Sequence, residues 1–477
     1  MNSKVSKKEK AFFAAADFYG GGGQALIGVL YLVFLMEVLG LGPILASLIV
    51  TICEIWDAFT DPLMGRVGDN FRSKWGRRRP FIVVGGMLLI VAFCLLFMPL
   101  TTVFPALANA KEIWVFIIAL SINIFYNTVS TIILVSYNSL SAEISNDPTE
   151  RDKANILRLV VSTVATALCT LVPTLVWDMY SSGKVGVGVF YLVAGVVFGI
   201  LFGLPVILCG IFCKERTEIP TEKSKFSFKE FVEPLKVKPF RQLLLMYLGQ
   251  AICMDIFSAG IALFAKYVTT PKGSSTVFLG IFIAVQLLAF PLVNKLVKNT
   301  NTNKIYGFGL PLAVAAMVVF AIFGQHLYVG YVCVFFVAVG FAGAQLTSWI
   351  MYPHTVDAGE LLMNKRNSGS YSAIMTFSRK LSTSIAVSIF GVVLEFTGYV
   401  EKAEVQTDSA KLGIKLVMAL TCIVFMIIGY IVSRKYVLSK EIEGKVDKFV
   451  NIQRNGSLAA LEETEQQEYN ELITVLK

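Results

Sequence analysis

Three acidic residues share one face of a predicted helix in the first part of the chain. Glu54, Asp57 and Asp61 are separated by three and four positions, so in a helix their carboxylates stack one turn apart. They end an apolar run that begins near Pro43, where stacked carboxylates are unfavourable unless a cation lies between them. The two aspartates and the Thr60 hydroxyl are hard oxygen ligands, which favour Na⁺ or H⁺ over a transition metal. The alternative is a solvated helix end whose acids face water or the basic loop that follows.

Two basic residues lie inside later apolar runs, at near-equivalent positions of the two halves of the chain. Arg158 is early in the fifth run, and Lys380 is midway along the eleventh. A buried cation is unfavourable unless it is paired, so both are candidates to point at a central cavity and to act in substrate binding or coupling. Lys380 is also placed to neutralise the aspartate pair when no cation is bound. Arg379 lies about 100° round the helix from Lys380, so both need not face inward.

The fourth apolar run offers further polar side chains. Asn127 and Thr131 are one turn apart, and they would form a polar wall or bind the cation. Tyr126 is one of several aromatic residues that could stack on a sugar ring, although lipid-facing or core positions are commoner for each. The chain has only two histidines and no visible Ser/His/Asp set. We therefore predict neither an enzyme active site nor a histidine metal centre, and no cofactor beyond the coupling ion.

The composition is that of a membrane protein. Of the 477 residues, 55% are hydrophobic and 16% charged, and apolar runs of helix length recur along the whole chain. Long continuous runs predict helices and exclude a barrel, whose strands would alternate. The net charge of +9 would suggest nucleic acid in a soluble chain, but here the basic residues lie beside helix ends, as topology requires. The eight cysteines lie mostly in apolar runs without metal-ligand spacing, so we interpret them as small hydrophobic residues.

We predict twelve membrane spans. They cover residues 14–37, 43–66, 80–104, 112–140, 154–177, 186–213, 241–268, 275–297, 305–325, 328–352, 370–396 and 412–434. Lysine and arginine cluster after the even-numbered spans, and the intervening loops are poor in both. The positive-inside rule therefore places both termini in the cytoplasm of a multi-pass cell-membrane protein.

The spans divide into two sets of six. We predict an N-terminal bundle at 1–213, a cytoplasmic central loop at 214–240, a C-terminal bundle at 241–435 and a cytoplasmic tail at 436–477. The two halves show weak sequence similarity, in the residues that end spans two and eight and in the charged loops after spans four and ten. A six-plus-six duplication with its site between the halves is the layout of major-facilitator transporters. The tail is predicted to be helical or disordered, and we find no chemistry in it.

A tight basic connection follows the second span. The simplest interpretation is that the positive-inside rule alone explains these basic residues. We further expect Asp69, Arg72 and Arg77 to pair with neighbouring helix ends, with Asp357 and Glu360 as counterparts after the tenth span. These residues would form a cytoplasmic gate that alternating access must break. The loop that carries Asp147 and Arg151 after the fourth span, and Lys365 and Arg366 after the tenth, belongs to the same pattern.

Four segments resemble the glycoside–pentoside–hexuronide:cation symporter family, and the resemblance covers nearly the whole chain. They are WDAFTDPLMG at 56–65, RSKWGRRRP at 72–80, ERDKANILR at 150–158 and VDAGE at 356–360. The resemblance implies an all-α major-facilitator fold. It also implies that Asp57 and Asp61 bind the coupling cation and that Thr60 and Thr131 match cation-site positions. The family's span-eleven lysine and span-five arginine match Lys380 and Arg158.

The chain departs from the family at its sugar-binding positions. The sugar-binding aspartates of the melibiose permease, which typifies the family, fall here near Gly21 and on Leu134, so an α-galactoside is disfavoured. The two acids are missing here, whereas the basic residues Arg158, Arg379 and Lys380 are present. This balance of charge suggests a cavity that tolerates an anionic sugar such as a uronide. Thr60 occupies a position at which the family commonly has Asn, so the identity of the coupling ion, Na⁺ or H⁺, stays open.

We therefore predict a transporter, active as a monomer, that moves a sugar, glycoside, pentoside or uronide inward with Na⁺ or H⁺. The main alternative is a carrier of the same fold for a non-sugar solute such as a lipid or a drug. A lipid carrier would have an apolar cavity open to the bilayer, whereas a sugar requires a polar, closed one. A receptor or scaffold would need neither the aspartate pair nor Lys380 at a cavity.

Overall fold

The computed structural model describes residues 5–108, 110–145, 148–216, 232–364, 368–454 and 463–477. Within these ranges the regular structure is helical, apart from one isolated bridge between Thr270 and His326. Twelve helices are long and apolar enough to cross a membrane, which confirms the predicted all-α class. Spans 1 to 12 are, in order, Lys7–Leu39, Pro43–Gly68, Arg79–Leu96, Glu112–Ser141, Lys153–Ser181, Val187–Phe212, Lys238–Val268, Ser275–Val297, Thr302–Phe323, Leu327–Met363, Ser370–Phe396 and Asp408–Arg434.

Three span boundaries differ clearly from the prediction, each for a local reason. Span 1 begins at Lys7 because the Ser6 hydroxyl accepts a hydrogen bond from the Glu9 N–H and caps the helix before its apolar run. Span 3 ends at Leu96, shortly before Pro99, which has no N–H to continue the helix. Span 10 continues to Met363 through Pro353, which is accommodated inside the helix.

The remaining helices are short connections or part of the tail. Leu100–Val103 and Pro105–Ala108 follow span 3, and a 3₁₀ turn at Glu233–Lys236 precedes span 7. The tail forms two helices, Lys440–Arg454 and Glu463–Leu476, so the helical alternative for this segment is the one observed. The first tail helix packs on span 10.

The spans pack in an order that creates one central seam. Span 1 packs along spans 5 and 6, and span 7 packs along spans 11 and 12. The most extensive contacts between the first six spans and the last six are those of span 2 with span 11, span 1 with span 7, and span 5 with span 8. The predicted domain boundaries remain a prediction, and most of the central loop, 217–231, lies outside the described residues.

Two ends of the bundle can be distinguished. Because twelve spans cross the bundle an even number of times, both ends of the described chain lie at one end, which we call the terminal end. Span 1 starts at the terminal end and finishes at the opposite end, which we call the far end. Asp57 and Asp61 lie towards the terminal end of span 2, which begins at the far end with Pro43.

Candidate functional site

The predicted aspartate pair lies at the seam, in contact with a lysine from the other set of six spans. Lys380 Nζ on span 11 lies 2.5 Å from Asp61 Oδ2 and 3.2 Å from Asp57 Oδ2 on span 2. Thr131 on span 4 donates a hydrogen bond of 2.8 Å to the other oxygen of Asp61. The structure therefore brings four of the predicted residues into one cluster, which we call the carboxylate cluster: Asp57, Asp61, Thr131 and Lys380.

Among the described residues, two oxygen atoms of span 2, one in this cluster and one on the residue next to Asp61, have no hydrogen-bond partner. They are Asp57 Oδ1 and Thr60 Oγ1, and both atoms are buried. A buried acceptor without a partner is uncommon in folded proteins and is most simply satisfied by an ion or by water. Together with the carboxylate of Asp61, these oxygens would offer a small hard cation a donor set made of oxygen alone.

A cavity of about 490 Å³ lies in the seam beside the carboxylate cluster. Its wall includes residues of spans 1, 2 and 5 on one side and of spans 7, 8, 10 and 11 on the other. Glu54, one helical turn from Asp57, is the member of the predicted acidic face that reaches this wall. Gly21, at the position near which the family has a sugar-binding aspartate, also lies in the wall. The acidic face of span 2 therefore connects the cavity to the carboxylate cluster.

The wall of the cavity has a polar and an apolar part. The polar side chains other than the charged ones are Gln24, Tyr31, Thr163, Thr166, Thr170, Ser258, Gln286, Gln345 and Thr383. The large apolar side chains come mainly from spans 1, 7 and 8 and include Leu32, Phe257, Leu279, Phe282, Ile283, Leu287 and Phe290. Such a mixture of apolar surface and a few polar groups is typical of a site for a small organic molecule.

An ion pair that joins spans 7 and 11 forms part of the cavity wall. Arg379 donates to both carboxylate oxygens of Asp255, at 2.5 Å and 2.7 Å. The same guanidinium group contacts the hydroxyls of Ser382 and Thr383 at 3.1 Å and 3.0 Å. The neighbours Arg379 and Lys380 thus have different partners, as their separation round the helix allows.

Arg158 has its partners within the first six spans. Its Nε lies 3.2 Å from Asp17 Oδ1 on span 1, and its Nη2 donates to Asn138 Oδ1 at 2.6 Å. The guanidinium carbon also lies 4.6 Å from the centre of the Tyr137 ring. Arg158 is not among the residues that line the cavity. Arg158, Arg379 and Lys380 are therefore all paired with acids, and the premise of a cation surplus around the cavity does not hold.

Two predicted substrate-binding residues on span 4 do not line the cavity. Tyr126 is buried, and its hydroxyl shares a hydrogen bond of 3.0 Å with the Tyr19 hydroxyl. Asn127 donates to the backbone and side-chain oxygens of Asn123, both at 2.9 Å. Of this part of the prediction, only Thr131 reaches the carboxylate cluster, because it lies one turn further along the helix.

The predicted gate residues lie at the terminal end. The backbone N–H groups of Arg77, Arg78 and Arg79 donate to the Glu215 carboxylate, which caps the start of span 3 from the end of span 6. Arg72 donates to the carbonyl of Phe71. The contact from Glu215 joins two helices of the same set of six spans, so it does not bridge the seam.

The rest of the predicted gate is only partly described. Glu360 is buried in span 10, and its carbonyl accepts from Gln453 of the first tail helix at 3.3 Å. Asp357 lies on the same span, partly buried. The side chain of Asp69, with Asp147, Arg151, Lys365 and Arg366 of the flanking loops, lies outside the described residues or side chains. The gate remains a prediction.

A second contact at the terminal end joins the start of span 1 to the helix that begins span 5. Glu150 lies 2.6 Å from Lys10 Nζ and 3.1 Å from Lys153 Nζ. Hydrogen bonds from these two ammonium groups lower the pKa of the Glu150 carboxyl from 4.5 to about 2. The carboxylate is therefore ionised at any physiological pH.

Two acids close the seam at the far end. Glu37, buried at the end of span 1, pairs with Lys266 and accepts from Tyr267 at 2.8 Å and from Tyr399. Asp178, at the end of span 5, accepts from the backbone N–H of Ser275 at 3.2 Å and of Thr276 at 3.1 Å, and so caps span 8. Each acid belongs to the first six spans and each set of donors to the last six. We call these two contacts the far-end latch.

Sequence reasoning missed Asp255, Glu37 and Asp178. Glu37 and Asp178 lie at the ends of apolar runs, whereas Asp255 lies midway along one, where the rule that intramembrane acids are functional by default would have singled it out. Their partners could not be predicted, because Arg379, Lys266 and Ser275 are distant in sequence and meet them only through packing across the bundle.

The sequence matches a known family along most of its length. The model of the family described as "MFS/sugar transport protein" matches residues 12–440. An uncharacterized symporter of Bacillus subtilis, YjmB, is 27% identical over 87% of this chain and 89% of its own. The glucuronide carrier protein homolog of Escherichia coli is 24% identical over 95% of this chain and 98% of its own. The sodium-dependent lysophosphatidylcholine symporter 1-B of Danio rerio is 23% identical over 93% of this chain and 89% of its own.

The fold agrees with that assignment. A bacterial homolog of the human lysosomal transporter Spinster, solved in an inward-facing and unoccupied conformation, superposes with a TM-score of 0.62 over 91% of this chain and 98% of its own, at 14% identity. At this identity the likeness concerns the fold alone. Family and fold are those of membrane transporters rather than enzymes. The chain belongs to the MFS/sugar transport protein family and is a multi-pass membrane transporter of the major facilitator superfamily, as its resemblance to the sugar–cation symporters predicted.

Proposed function

We propose that this protein carries a sugar or sugar derivative (a glycoside, pentoside or uronide) across the cell membrane together with Na⁺ or H⁺. The observation that carries the proposal is the position of Asp57 and Asp61. They form one end of an acidic helix face whose other end, Glu54, lies in the wall of the seam cavity. Relatives along nearly the full length of the chain are named symporters, and one is named for a glucuronide.

The coupling cation binds at the carboxylate cluster. Asp57 Oδ1 and Thr60 Oγ1 have no partner among the described residues, so they are free to bind an ion. Both oxygens that Lys380 contacts belong to the aspartate pair, so an arriving cation competes with the ammonium group. Binding of the cation satisfies the two carboxylates and releases Lys380. In the absence of the cation, Lys380 supplies the positive charge that the buried acids require.

Cation and sugar are coupled through span 2. Glu54 lies one turn from Asp57, so a change of charge or position at the carboxylate cluster is transmitted to the cavity wall within a single helix. Each ligand then raises the affinity of the other by the same factor, typically worth about 1–3 kcal/mol. This reciprocity favours the carrier that holds both ligands over the carrier that holds either one alone.

Alternating access consists of rocking of the two sets of six spans about the seam. The far-end latch, formed by Glu37 and Asp178, closes one entrance and must open in the other state. Both termini lie in the cytoplasm according to the positive-inside rule, which makes the far end the extracellular one. In this orientation the protein moves its substrate into the cell. It acts as a monomer.

The test is Asp57→Asn in proteoliposomes. This variant removes the charge that holds the cation, so we expect it to lose cation-stimulated uptake while inserting normally into the membrane. Asp408→Asn is the matched control, because Asp408 is fully exposed and, among the residues that the structure describes, pairs with Lys411 on its own helix. Uptake is measured against a panel of labelled glycosides, pentosides and uronides, with Na⁺ and pH gradients imposed separately. Concentrative uptake by Asp57→Asn at the wild-type rate would refute the mechanism.

The second candidate is a carrier of the same fold for a lipid. The apolar part of the cavity wall, with Phe257, Phe282 and Phe290, favours it, and a relative is named for lysophosphatidylcholine. A lipid carrier would move a fluorescent lysophospholipid across the vesicle membrane and would not transport the members of the sugar panel. Uptake of a sugar in the same vesicles without lipid transfer supports the first candidate.

A further inference from the structure

Acidic groups outnumber basic ones at the cavity and the adjoining carboxylate cluster. The acids are Glu54, Asp57, Asp61 and Asp255, and the bases are Arg379 and Lys380. Glu54 forms no ion pair with any described residue. A bound monovalent cation would reduce the excess of negative charge without reversing it. An anionic solute that entered this cavity would therefore meet no excess of positive charge.

The basic group in the cavity wall is already engaged. Asp255 takes both terminal nitrogens of Arg379 in a bidentate pair, and Ser382 and Thr383 provide further oxygens at hydrogen-bond distance. Bidentate pairs between arginine and a carboxylate are among the strongest hydrogen-bonded contacts in proteins. A substrate carboxylate that took both terminal nitrogens of Arg379 would have to displace Asp255, which would leave that acid unpaired beside Glu54.

The other polar groups of the cavity wall favour a ligand that donates hydrogen bonds. Gln286 Oε1 and Gln345 Oε1 are buried and have no partner among the described residues. With the carboxylates of Glu54 and Asp255, they are acceptors. Sugar hydroxyls can donate to such groups, whereas an ionised carboxylate cannot.

We propose that Asp255 is a specificity-determining residue: by holding Arg379 in a closed pair, it makes the cavity select uncharged, hydroxyl-rich solutes and reject anionic sugars. The identification of the solute as a sugar rests on the proposed function, but the selection by charge does not. Removing the charge of Asp255 while keeping its shape frees Arg379 and moves the preference towards anions. Asp255 acts on the substrate through Arg379, so its effect is on selectivity rather than on the cation.

The first test measures the charge preference of the cavity without any substrate. Ser258→Cys places a thiol in the wall of the cavity, and the parent chain with its native cysteines serves as the blank. Two thiol reagents of the methanethiosulfonate class are compared in proteoliposomes, one carrying a sulfonate and the other a trimethylammonium group. We expect the cationic reagent to react faster. Adding Asp255→Asn should raise the relative rate of the anionic reagent roughly tenfold, whereas Asp255→Glu should not.

The second test uses a matched pair of solutes, p-nitrophenyl β-glucoside and p-nitrophenyl β-glucuronide, which differ only in the hydroxymethyl or carboxylate group at one carbon. We expect the wild-type protein to prefer the glucoside and Asp255→Asn to move the ratio of uptake rates towards the glucuronide by roughly tenfold. Wild-type uptake that favours the glucuronide, or a labelling ratio that Asp255→Asn leaves unchanged, overturns the proposal. Labelling as expected with no sugar taken up from any panel supports the selection by charge and counts against the sugar symport itself.

Discussion

The ammonium group of Lys380 lies 2.5 Å from the Asp61 carboxylate, and this contact joins span 11 to span 2 across the seam. The same nitrogen lies 3.2 Å from Asp57, so one side chain contacts both of the acids that we propose as the cation site. Lys380 and the coupling cation are therefore expected to exclude each other. Since the two helices belong to different sets of six spans, displacement of Lys380 also removes a contact across the seam, which links ion binding to the motion.

Replacing Lys380 should separate these two roles. Lys380→Ala leaves two carboxylates without their internal cation, which typically destabilises a buried pair by about 3–5 kcal/mol. It also removes the competitor, so we expect the apparent affinity for the cation to rise roughly tenfold, equivalent to about 1.4 kcal/mol. Thermal unfolding in a titration of the cation measures both effects: a lower midpoint without the ion, and recovery at a lower ion concentration.

The matched control is Lys415→Ala on span 12. Lys415 is also a lysine within a span, but its Nζ donates to Gln325, away from the acids. This variant should keep the wild-type concentration dependence on the cation. If Lys380→Ala showed that same dependence, the proposed competition would be wrong.

Replacing Thr60 should affect the stability of the cation-free protein and its affinity for the cation in opposite directions. Its hydroxyl oxygen is buried and has no partner among the described residues, an arrangement that typically costs about 1–3 kcal/mol. Thr60→Val removes the unsatisfied group with little change of shape. We expect the variant to be at least as stable as the wild type without the cation and to bind the cation more weakly, by a factor of about 3–10, since it lacks one oxygen ligand.

The measurement is again thermal unfolding with and without the cation. Thr347→Val on span 10 is the control, since the Thr347 hydroxyl donates to the Gly343 carbonyl at 2.7 Å within its own helix and lies outside the site. A Thr60→Val variant that bound the cation with unchanged affinity would remove Thr60 from the ligand set.

The sequence was sufficient to predict that Asp57 and Asp61 lie on one face of span 2, because this follows from helical spacing within one segment. Lys380 could be predicted as their partner for a similar reason, since a lysine in an apolar run needs an acid. Asp255 was not predicted to hold Arg379. Which acid meets which base depends on how span 7 is rotated against span 11, and that rotation is set by packing along both helices rather than by any local pattern. Tyr126 shows the converse: its type suited a sugar, but the rotation of span 4 buries it against Tyr19.

Glu37 should control the state in which the far end is closed. Glu37→Gln removes the charge that pairs with Lys266 and weakens the acceptor for Tyr267 and Tyr399. We therefore expect the population to shift towards the state that is open at the far end. Distances between spin labels placed at the far ends of spans 1 and 7 should lengthen, while the terminal ends of the same spans should approach each other.

Glu404→Gln is the matched control at the same end of the bundle, because Glu404 is exposed in the loop between spans 11 and 12. It should leave the distance distributions unchanged. An unchanged distribution in Glu37→Gln as well would mean that the far end is held closed by the remaining contacts, and that Glu37 is not part of the gate.

Glu150 provides a prediction about pH. Lys10 and Lys153 lower the pKa of its carboxyl from 4.5 to about 2, so the stability that the ionised group contributes is fully present above pH 4.5 and is lost as the pH falls towards 2. Glu150→Gln should therefore lower the thermal unfolding midpoint by a constant amount between pH 5 and pH 8, and the difference from wild type should shrink below pH 4.5. Because the group does not titrate between pH 5 and pH 8, the pH profile of uptake in that window should keep its shape.

Glu471→Gln, at an exposed glutamate of the second tail helix, is the control for the loss of one negative charge at the terminal end. A displaced pH midpoint of uptake in Glu150→Gln, with none in the control, would show that Glu150 takes up a proton during transport and that its pairing with Lys10 is broken in another state of the cycle.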